Sequence, residues 1–341
     1  MALEKLDTQE FNMELSVEIK EKLEAFELKC GDNFSLYRGK TGLCMAYFIL
    51  SAACDNPAYK TKAHELLDEL SENMADVQKL HFAAGIAGIG WAVEWLVQNK
   101  YIDANTDDIL EDLDDEIYKA VVYEKSPDLS IANGTLGKAM YFYRRLLAQN
   151  PTTNRYRTIC NQECLVLLTD EINEVMLNEE SGWLCNNHVP TPDQLTQIAQ
   201  SIIFLSKLTP FRINIEVCKK VTSSIISFIK NCCEQDDFFH SEKSVEKLHL
   251  LYANYMVAIG LKNDALIKDA SNYYSRYLSN IDTIGIIEPF EFYIRKKLAG
   301  LLNKDIPGKT YSNIAHIFDV MNLISGPAKI NDIDWDEAWG L

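Results

Sequence analysis

A four-residue pattern, Gly-x-x-Gly, occurs three times in the first half of this 341-residue chain. The copies are Gly39–Gly42, Gly85–Gly88 and Gly134–Gly137, and each begins a long apolar stretch rich in aromatic residues. The first glycines of successive copies are 46 and 49 residues apart. A regular spacing in this range is typical of proteins built from repeated supersecondary units. We therefore expect a repeat architecture.

The six glycines of this pattern are predicted to be structural. We expect the first glycine of each copy to adopt a positive φ angle, which glycine reaches without steric cost. We expect the second to remove a side chain where helix ends crowd together. The first set is Gly39, Gly85 and Gly134, and the second is Gly42, Gly88 and Gly137.

Apolar residues recur three and four positions apart along nearly the whole chain, which predicts an all-α protein. Some stretches are apolar on one face only, as expected of outer helices: Tyr59–Val77, Asp107–Val121 and Asn154–Val175. Others are apolar around most of their circumference, as expected of inner helices: Gly42–Ala53, Gly88–Val97 and Gly137–Leu147. The best strand candidate, Thr283–Phe292, is short.

Further inner helices are predicted in the second half of the chain. They are Gln194–Leu208, Ser244–Leu261, Ile287–Leu302 and Tyr311–Ile324, which brings the number of inner candidates to seven. Helical hairpins side by side cover their apolar faces with one another, and a ring leaves no uncovered end. We therefore expect an α/α toroid, a double ring of about seven inner and seven outer helices, as a single domain over residues 1–341. An open solenoid with polar capping helices is the alternative.

The charge balance limits the classes of partner. The chain has 33 basic and 50 acidic residues, a net charge of −17 and a calculated pI near 4.8. This charge repels nucleic acid and anionic membrane surfaces, and favours a basic peptide or a cationic segment. Such acidity also serves solubility alone. No apolar run approaches the roughly 20 residues of a membrane span, so we expect no membrane insertion.

Nine cysteines are scattered along the chain without a framework of regular spacings. Residues Met1–Asp7 contain no apolar signal region and no cleavage site. We therefore expect a cytoplasmic protein with reduced thiols.

Four segments resemble the lanthionine synthetase C-like family: Leu36–Leu43, Ala84–Trp91, Asp128–Gly137 and Trp335–Glu337. The resemblance is strongest through the third Gly-x-x-Gly copy. It implies a double ring of seven inner and seven outer helices. In active members a central zinc activates a peptide cysteine, which adds to a dehydrated serine or threonine and forms a thioether ring.

The resemblance also implies zinc ligands that this sequence lacks. The family holds the metal with a cysteine in a Trp-Cys-x-Gly motif on the fifth inner helix and with a Cys-His-Gly motif on the sixth. Here residues 244–256 contain no cysteine, and residues 283–290 contain neither cysteine nor histidine. Losing these ligands removes both metal affinity and the Lewis acid that lowers the thiol pKa. We expect no cofactor and no zinc-dependent cyclase activity.

Two candidate catalytic residues follow from the resemblance. Asp128 resembles the family's acidic residue before the third glycine pair. His188 resembles the histidine of the fourth repeat, which serves as acid or base, although Val189 follows it where the family has glycine. A histidine titrates near neutral pH, which suits proton transfer. An ordinary loop histidine between Cys185 and Pro190 is the alternative.

A rewired zinc site is a further alternative. Cys185 and His188 have the spacing of a metal-binding pair, and more ligands are available at Cys232, Cys233 and His240. Adjacent cysteines at the end of an amphipathic helix more often pack as small apolar residues, which favours the structural explanation.

Aromatic residues near the glycine turns are candidates for ligand binding. Tyr37, Trp91 and Trp183 are expected to contact a peptide or a sugar, with core packing as the alternative. Glu288 is a further binding candidate, because paired carboxylates such as Asp128 and Glu288 are what a carbohydrate-active α/α barrel uses.

Three functional hypotheses remain open. The favoured one is a non-catalytic relative, a pseudoenzyme linked to peptide modification, that binds a peptide or a partner protein. The second is an active thioether-forming enzyme with a rewired site. The third is the carbohydrate-active barrel, which rests on fold likeness.

Overall fold

The computed structural model describes residues 21–54, 57–151, 154–185, 188–235, 238, 245–279, 289–302, 337–338 and 341. All regular secondary structure in these ranges is helical. The described residues divide into two compact units. Unit 1 contains residues 21–54, 57–114 and 148–151, and unit 2 contains the others. The single domain over residues 1–341 stays a prediction.

Unit 1 contains helix α1 at residues 21–30, α2 (Lys40–Cys54), α3 (Pro57–Asn73), α4 (Ile86–Gln98) and the short α5 (Thr106–Ile109). Helix α6 (Glu111–Tyr123) crosses from unit 1 into unit 2. Unit 2 contains α7 (Thr135–Leu147), α8 (Arg155–Leu177), α9 (Pro192–Leu208), α10 (Ile215–Glu234), α11 (Val245–Gly260), α12 (Asp264–Ser279) and α13 (Pro289–Leu302). Single 3-10 turns follow α3 at Met74–Asp76 and α9 at Thr209–Phe211.

Two kinds of helix alternate, as the sequence predicts. Residues 41–50 of α2 and 86–97 of α4 are all buried. The outer helix α3 buries a single stripe, formed by Tyr59, Ala63, Leu66 and Leu70. Positions four, three and four apart share one face of a helix, so α3 covers the core with that face and leaves the other in water.

The helices pack as successive hairpins within each unit. In unit 1, α2 packs on α3 and α4. In unit 2, α7 packs on α8 and α9, α9 packs on α10 and α11, and α11 packs on α12 and α13. The last predicted inner helix, Tyr311–Ile324, lies outside the described residues. The strand candidate Thr283–Phe292 is helical in its described part, where residues 289–292 form the first turn of α13, as the predicted inner helix Ile287–Leu302 requires.

Each of the three Gly-x-x-Gly copies follows a loop that is closed by the same main-chain hydrogen bond. In each copy, the residue six positions before the first glycine accepts a hydrogen bond through its carbonyl oxygen from the amide that follows that glycine. The pairs are Lys40 to Asn33 at 2.8 Å, Ile86 to Lys79 at 2.9 Å and Thr135 to Asp128 at 3.0 Å. An inner helix starts directly after each of these bonds.

The first glycine of each copy is required by steric crowding. Gly85 has φ −148°, an extended backbone, and Gly31 is the only described glycine with positive φ. A Cβ atom on Gly85 would collide with the carbonyl oxygen of Lys79. Gly39 and Gly134 face the carbonyl oxygens of Asn33 and Asp128 in the same way. The expected positive φ is therefore wrong, and the closely approaching loop backbone is the physical reason for glycine.

The second glycine of each copy is buried in the first turn of the inner helix. At Gly88 a Cβ atom would collide with the carbonyl oxygen of Phe82, in the middle of the preceding loop. The crowding expected at this position is thus present at Gly88, and its source is again a loop carbonyl. Gly42 and Gly137 are buried at the corresponding positions of the other copies.

Candidate functional site

Asp128 lies in unit 2 at the start of the third loop, where its side chain is half-buried. Its Oδ1 atom accepts a hydrogen bond from the Ser130 amide at 2.8 Å, and Oδ2 accepts one from the Ser130 hydroxyl at 3.0 Å. In the first loop, Asn33 Oδ1 accepts from the Ser35 amide at 2.9 Å. Such contacts to the backbone two residues ahead are typical of Asx turns. Asp128 therefore stabilises its loop as Asn33 does, and its catalytic role stays a prediction.

His188 lies on the exposed segment before α9. Its Nε2 atom is 3.0 Å from Oε1 of Gln194, in the first turn of α9. The same Oε1 atom accepts a hydrogen bond from the Thr191 amide at 2.9 Å, and the Thr191 hydroxyl accepts from the Gln194 amide at 3.3 Å. This reciprocal pair is a capping box. The helix cap therefore also positions the imidazole.

Trp183 and Cys185 lie on the turn between α8 and α9, and both are half-buried. The Trp183 amide donates to the Val175 carbonyl oxygen at 3.2 Å, which folds the turn back on the end of α8. The Cys185 carbonyl oxygen accepts from the His188 amide at 3.2 Å. Three of the predicted site residues, Trp183, Cys185 and His188, thus lie on one connection.

Two glutamines of α9 bring this connection and the third loop together. Gln194 holds His188, and Gln197 Oε1 accepts a hydrogen bond from the Leu129 amide at 2.9 Å. Leu129 directly follows Asp128 in the chain. Positions three apart are neighbours on a helix surface, so both attachments lie on one side of the first turns of α9. We call Asp128, Trp183, His188, Gln194 and Gln197 the α9 site.

The two glutamines are site residues that the sequence reasoning missed. The signal for Gln194 is present in the sequence, because Thr191 followed three positions later by glutamine is a capping-box pattern. Gln197 has no comparable local signal. Its partner Leu129 is 68 residues away in the chain.

Tyr37 and Trp91 lie in unit 1, apart in the chain from the α9 site. Tyr37 is half-buried, with its ring centre 6.3 Å from that of Phe82 in an edge-to-face arrangement, and burial raises the pKa of its phenol above the usual range. Trp91 is fully buried and packs at 5.7 Å against Phe82. Core packing explains Trp91, and the binding roles of both residues stay predictions. Glu288 lies outside the described residues.

The described candidate ligands of a rewired zinc site, Cys185, His188, Cys232 and Cys233, are not grouped as a metal site. Cys233 is fully buried and Cys232 half-buried at the end of α10. Desolvation raises the pKa of the Cys232 thiol to about 11 and that of Cys233 to about 12. Zinc binds the thiolate, so thiols that stay protonated are poor ligands. Within the described ranges, no three His, Cys, Asp or Glu side chains are grouped to hold a metal. His240 lies outside those ranges.

A family model described as lanthionine synthetase C-like protein matches residues 18–188, half of the chain. The chain belongs to the lanthionine synthetase C-like family. The matched range contains all three glycine loops and extends to His188. A comparison with curated proteins returned no significant match.

This lanthionine synthetase C-like chain is also similar to a solved structure titled nisin cyclase. The two share 13% sequence identity with a TM-score of 0.61, over 97% of this chain and 98% of the other. A likeness at this identity shows the fold, which is an α/α toroid. The prediction of an all-α toroid is confirmed.

The second half of this lanthionine synthetase C-like protein does not fit the zinc centre that the family implies. Helix α11, the described part of the fifth inner helix, has no cysteine, and no cysteine follows Cys233 anywhere in the sequence. The histidine of α11, His249, is fully buried with its ring 5.2 Å from Phe290. No step through a metal is therefore assigned to these residues.

Among the helices of the described ranges, none has both the length and the apolar character needed to cross a bilayer.

Proposed function

We propose that this protein serves peptide modification as a member of its family that binds a peptide or a partner protein without zinc-dependent cyclisation. The observation that carries the proposal is that the sequence lacks the family's zinc ligands. A catalytic zinc of this type takes three soft or imidazole ligands, and the last cysteine of the sequence is at position 233. The similarity to nisin cyclase and the family match support the link to peptide modification.

The α9 site supports the binding part of the proposal. Trp183 offers a half-buried indole, the kind of amphipathic surface that interfaces favour. His188 is exposed, and its Nε2 contact with Gln194 leaves the opposite side of the ring to a ligand. Asp128 contributes a carboxylate that Ser130 holds in place. These groups supply one apolar contact, one imidazole and one anion, which together suit a peptide segment.

Charge supports a cationic peptide as the partner. The net charge of −17 attracts basic segments at long range and raises their association rate. A cytoplasmic location belongs to the same proposal, and the scattered odd number of cysteines supports it.

Metal analysis of the purified protein tests the proposal. After loading with zinc and dialysis, we expect well below about 0.1 zinc per chain, since buried protonated thiols and one exposed histidine bind the ion weakly. Stoichiometric zinc that is lost in the Cys185→Ala or His188→Ala variant would overturn the proposal. Cys160→Ala is the matched control, because Cys160 is exposed on α8 and lies outside the α9 site.

A cyclisation assay gives the second readout. A dehydrated test peptide with one free cysteine is incubated with the zinc-loaded protein and analysed by mass spectrometry after thiol alkylation. We expect every peptide cysteine to remain open to alkylation. Thioether formation that depends on His188 would establish the active-enzyme alternative instead.

A further inference from the structure

A cavity of about 830 Å³ lies entirely within unit 1, in the range of ligand-binding clefts. It is formed by the segment before α2, the end of α3 and the segment after the Met74–Asp76 turn. Asn33 and Lys79, the carbonyl residues that close the first and second glycine loops, both line it. We call this cavity the unit 1 pocket.

The apolar part of the unit 1 pocket comes from Phe34, Val77 and Ala84. The Phe34 ring is covered by Lys40, whose Nζ atom is 5.1 Å from the ring centre. Lys40 is in turn held by Glu69 at 2.8 Å and by Asp32 at 3.5 Å. Lys40 therefore links the aromatic wall of the pocket to the carboxylates of Glu69 and Asp32.

The charged lining is incompletely neutralised. Three carboxylates, Asp32, Glu69 and Asp76, face two ammonium groups, Lys40 and Lys79, which leaves one excess negative charge. Glu69 already pairs with Lys40 at 2.8 Å. Asp76 makes no hydrogen bond or ion pair within the described part of the chain, and the Asp32 side chain is fully exposed. The unit 1 pocket thus combines an apolar wall with two exposed carboxylates: Asp76, and Asp32, which shares the Lys40 ammonium group with Glu69.

We infer that the unit 1 pocket binds a lysine or arginine side chain of the peptide partner. The aliphatic stem of such a side chain packs on Val77 and Phe34 while its charged end lies between Asp32 and Asp76, as amphipathic side chains do elsewhere. Charge-assisted hydrogen bonds to two carboxylates favour the cation over a neutral isostere. This inference rests on the proposed function, because it takes the ligand to be a peptide.

The test uses the full-length protein and a defined probe. The probe is an acetylated and amidated heptapeptide with one central lysine, and its neutral counterpart carries acetyl-lysine. Dissociation constants are measured by NMR titration at about 0.15 M salt, where the Debye length is about 8 Å and distant charges are screened. We expect the lysine probe to bind about tenfold more tightly than the acetyl-lysine probe.

Two double variants with equal charge change separate the pocket from general attraction. Asp32→Asn with Asp76→Asn removes two carboxylates of the unit 1 pocket, and we expect binding of the lysine probe to weaken about tenfold. Asp68→Asn with Glu72→Gln removes two carboxylates of α3 outside the pocket, with less than about a twofold change expected. Equal effects of the two double variants, or equal binding of the two probes, would overturn the inference.

The zinc content of the same preparations is measured as well. It tests the proposed function, whereas the preference between the two probes tests the unit 1 pocket. Zinc-free protein that does not distinguish lysine from acetyl-lysine overturns the inference about the pocket alone. Protein that makes this distinction but holds stoichiometric zinc overturns the proposed function alone.

Discussion

Arg144 donates a hydrogen bond from Nη2 to Oε2 of Glu337 at 2.7 Å, across 193 residues of chain. Both side chains are buried, with exposed fractions of 7% and 6%. Lys207 adds a second cation 3.9 Å from Glu337 and donates to the Leu341 carbonyl oxygen at 3.2 Å. Helices α7 and α9 therefore hold Glu337 and Leu341 through charged groups largely removed from water.

Removing one member of this pair should destabilise the protein strongly. We expect Arg144→Met to lower the free energy of unfolding by about 3 kcal/mol, because the buried Glu337 then keeps only the more distant cation of Lys207. The double variant Arg144→Met with Glu337→Met should regain much of that loss. The exposed pair of Lys125 and Glu174 is the control, and Lys125→Met should change stability by less than about 1 kcal/mol. Urea unfolding of each variant measures these differences, and equal losses at Arg144 and Lys125 would contradict the expectation.

Alanine at the first glycine of a loop should be poorly tolerated. We expect Gly85→Ala to lower the free energy of unfolding by about 2 kcal/mol or more, because its Cβ collides with the Lys79 carbonyl oxygen. Gly260 ends α11 and has open space where an alanine methyl group would lie, so Gly260→Ala should be neutral or stabilising by about 0.5–1 kcal/mol. Thermal unfolding compares the two variants. A Gly85→Ala protein as stable as Gly260→Ala would show that the loop relaxes freely.

Substitutions at Asp128 should separate its structural role from a chemical one. Asparagine retains the side-chain oxygen that accepts from Ser130, as Asn33 does from Ser35, so Asp128→Asn should keep the melting temperature. Asp128→Ala should cost about 1 kcal/mol by loss of the turn contact. If the carboxylate charge also serves ligand binding, Asp128→Asn will weaken peptide binding without loss of stability. Unchanged binding in this variant would limit Asp128 to its loop.

The buried thiol of Cys233 should make stability fall at alkaline pH. Burial raises its pKa from 9.0 to about 12. Between these values the unfolded chain has lost a proton that the folded protein still holds, so the free energy of unfolding decreases as pH rises above about 9. Between about pH 8 and pH 10, we expect the free energy of unfolding of Cys233→Ala to fall by about 1 kcal/mol less than that of the parent protein. Urea unfolding at both pH values measures the difference, with Cys160→Ala as the control; identical losses would contradict the expectation.

The helix pattern was predictable because it depends on local residue order. The apolar stripe on α3 and the run that begins at Gly88, apolar around most of its circumference, can be identified directly in the sequence. The reason for glycine was not predictable, because it depends on where the backbone of Lys79 lies after the loop has closed. The spacing of the glycines does not show whether glycine is needed for a positive φ angle or because another backbone segment lies too close for a Cβ atom.

The α9 site was predictable in its residue types and not in its assembly. Asp128 and His188 could be selected from the family resemblance. Neither residue indicates that α9 contacts both the third loop and the connection between α8 and α9. The contact of Gln197 with Leu129 joins positions 68 residues apart, and such a pairing follows only from the packing of α7 against α9. Glu288, the remaining candidate, lies outside the described residues.

The closure of the glycine loops has an evolutionary consequence. Each loop is closed by main-chain atoms, and the glycine contributes only a hydrogen atom at the point where the backbones approach. Buried residues of the loops, such as Leu36 and Leu129, are constrained by packing. The exposed ones, such as Arg38, His81 and Asn133, contribute no side-chain atom to that bond, so they are open to mutation while the start of the inner helix stays fixed. A chain of this design can exchange the exposed side chains of its loops and keep its architecture.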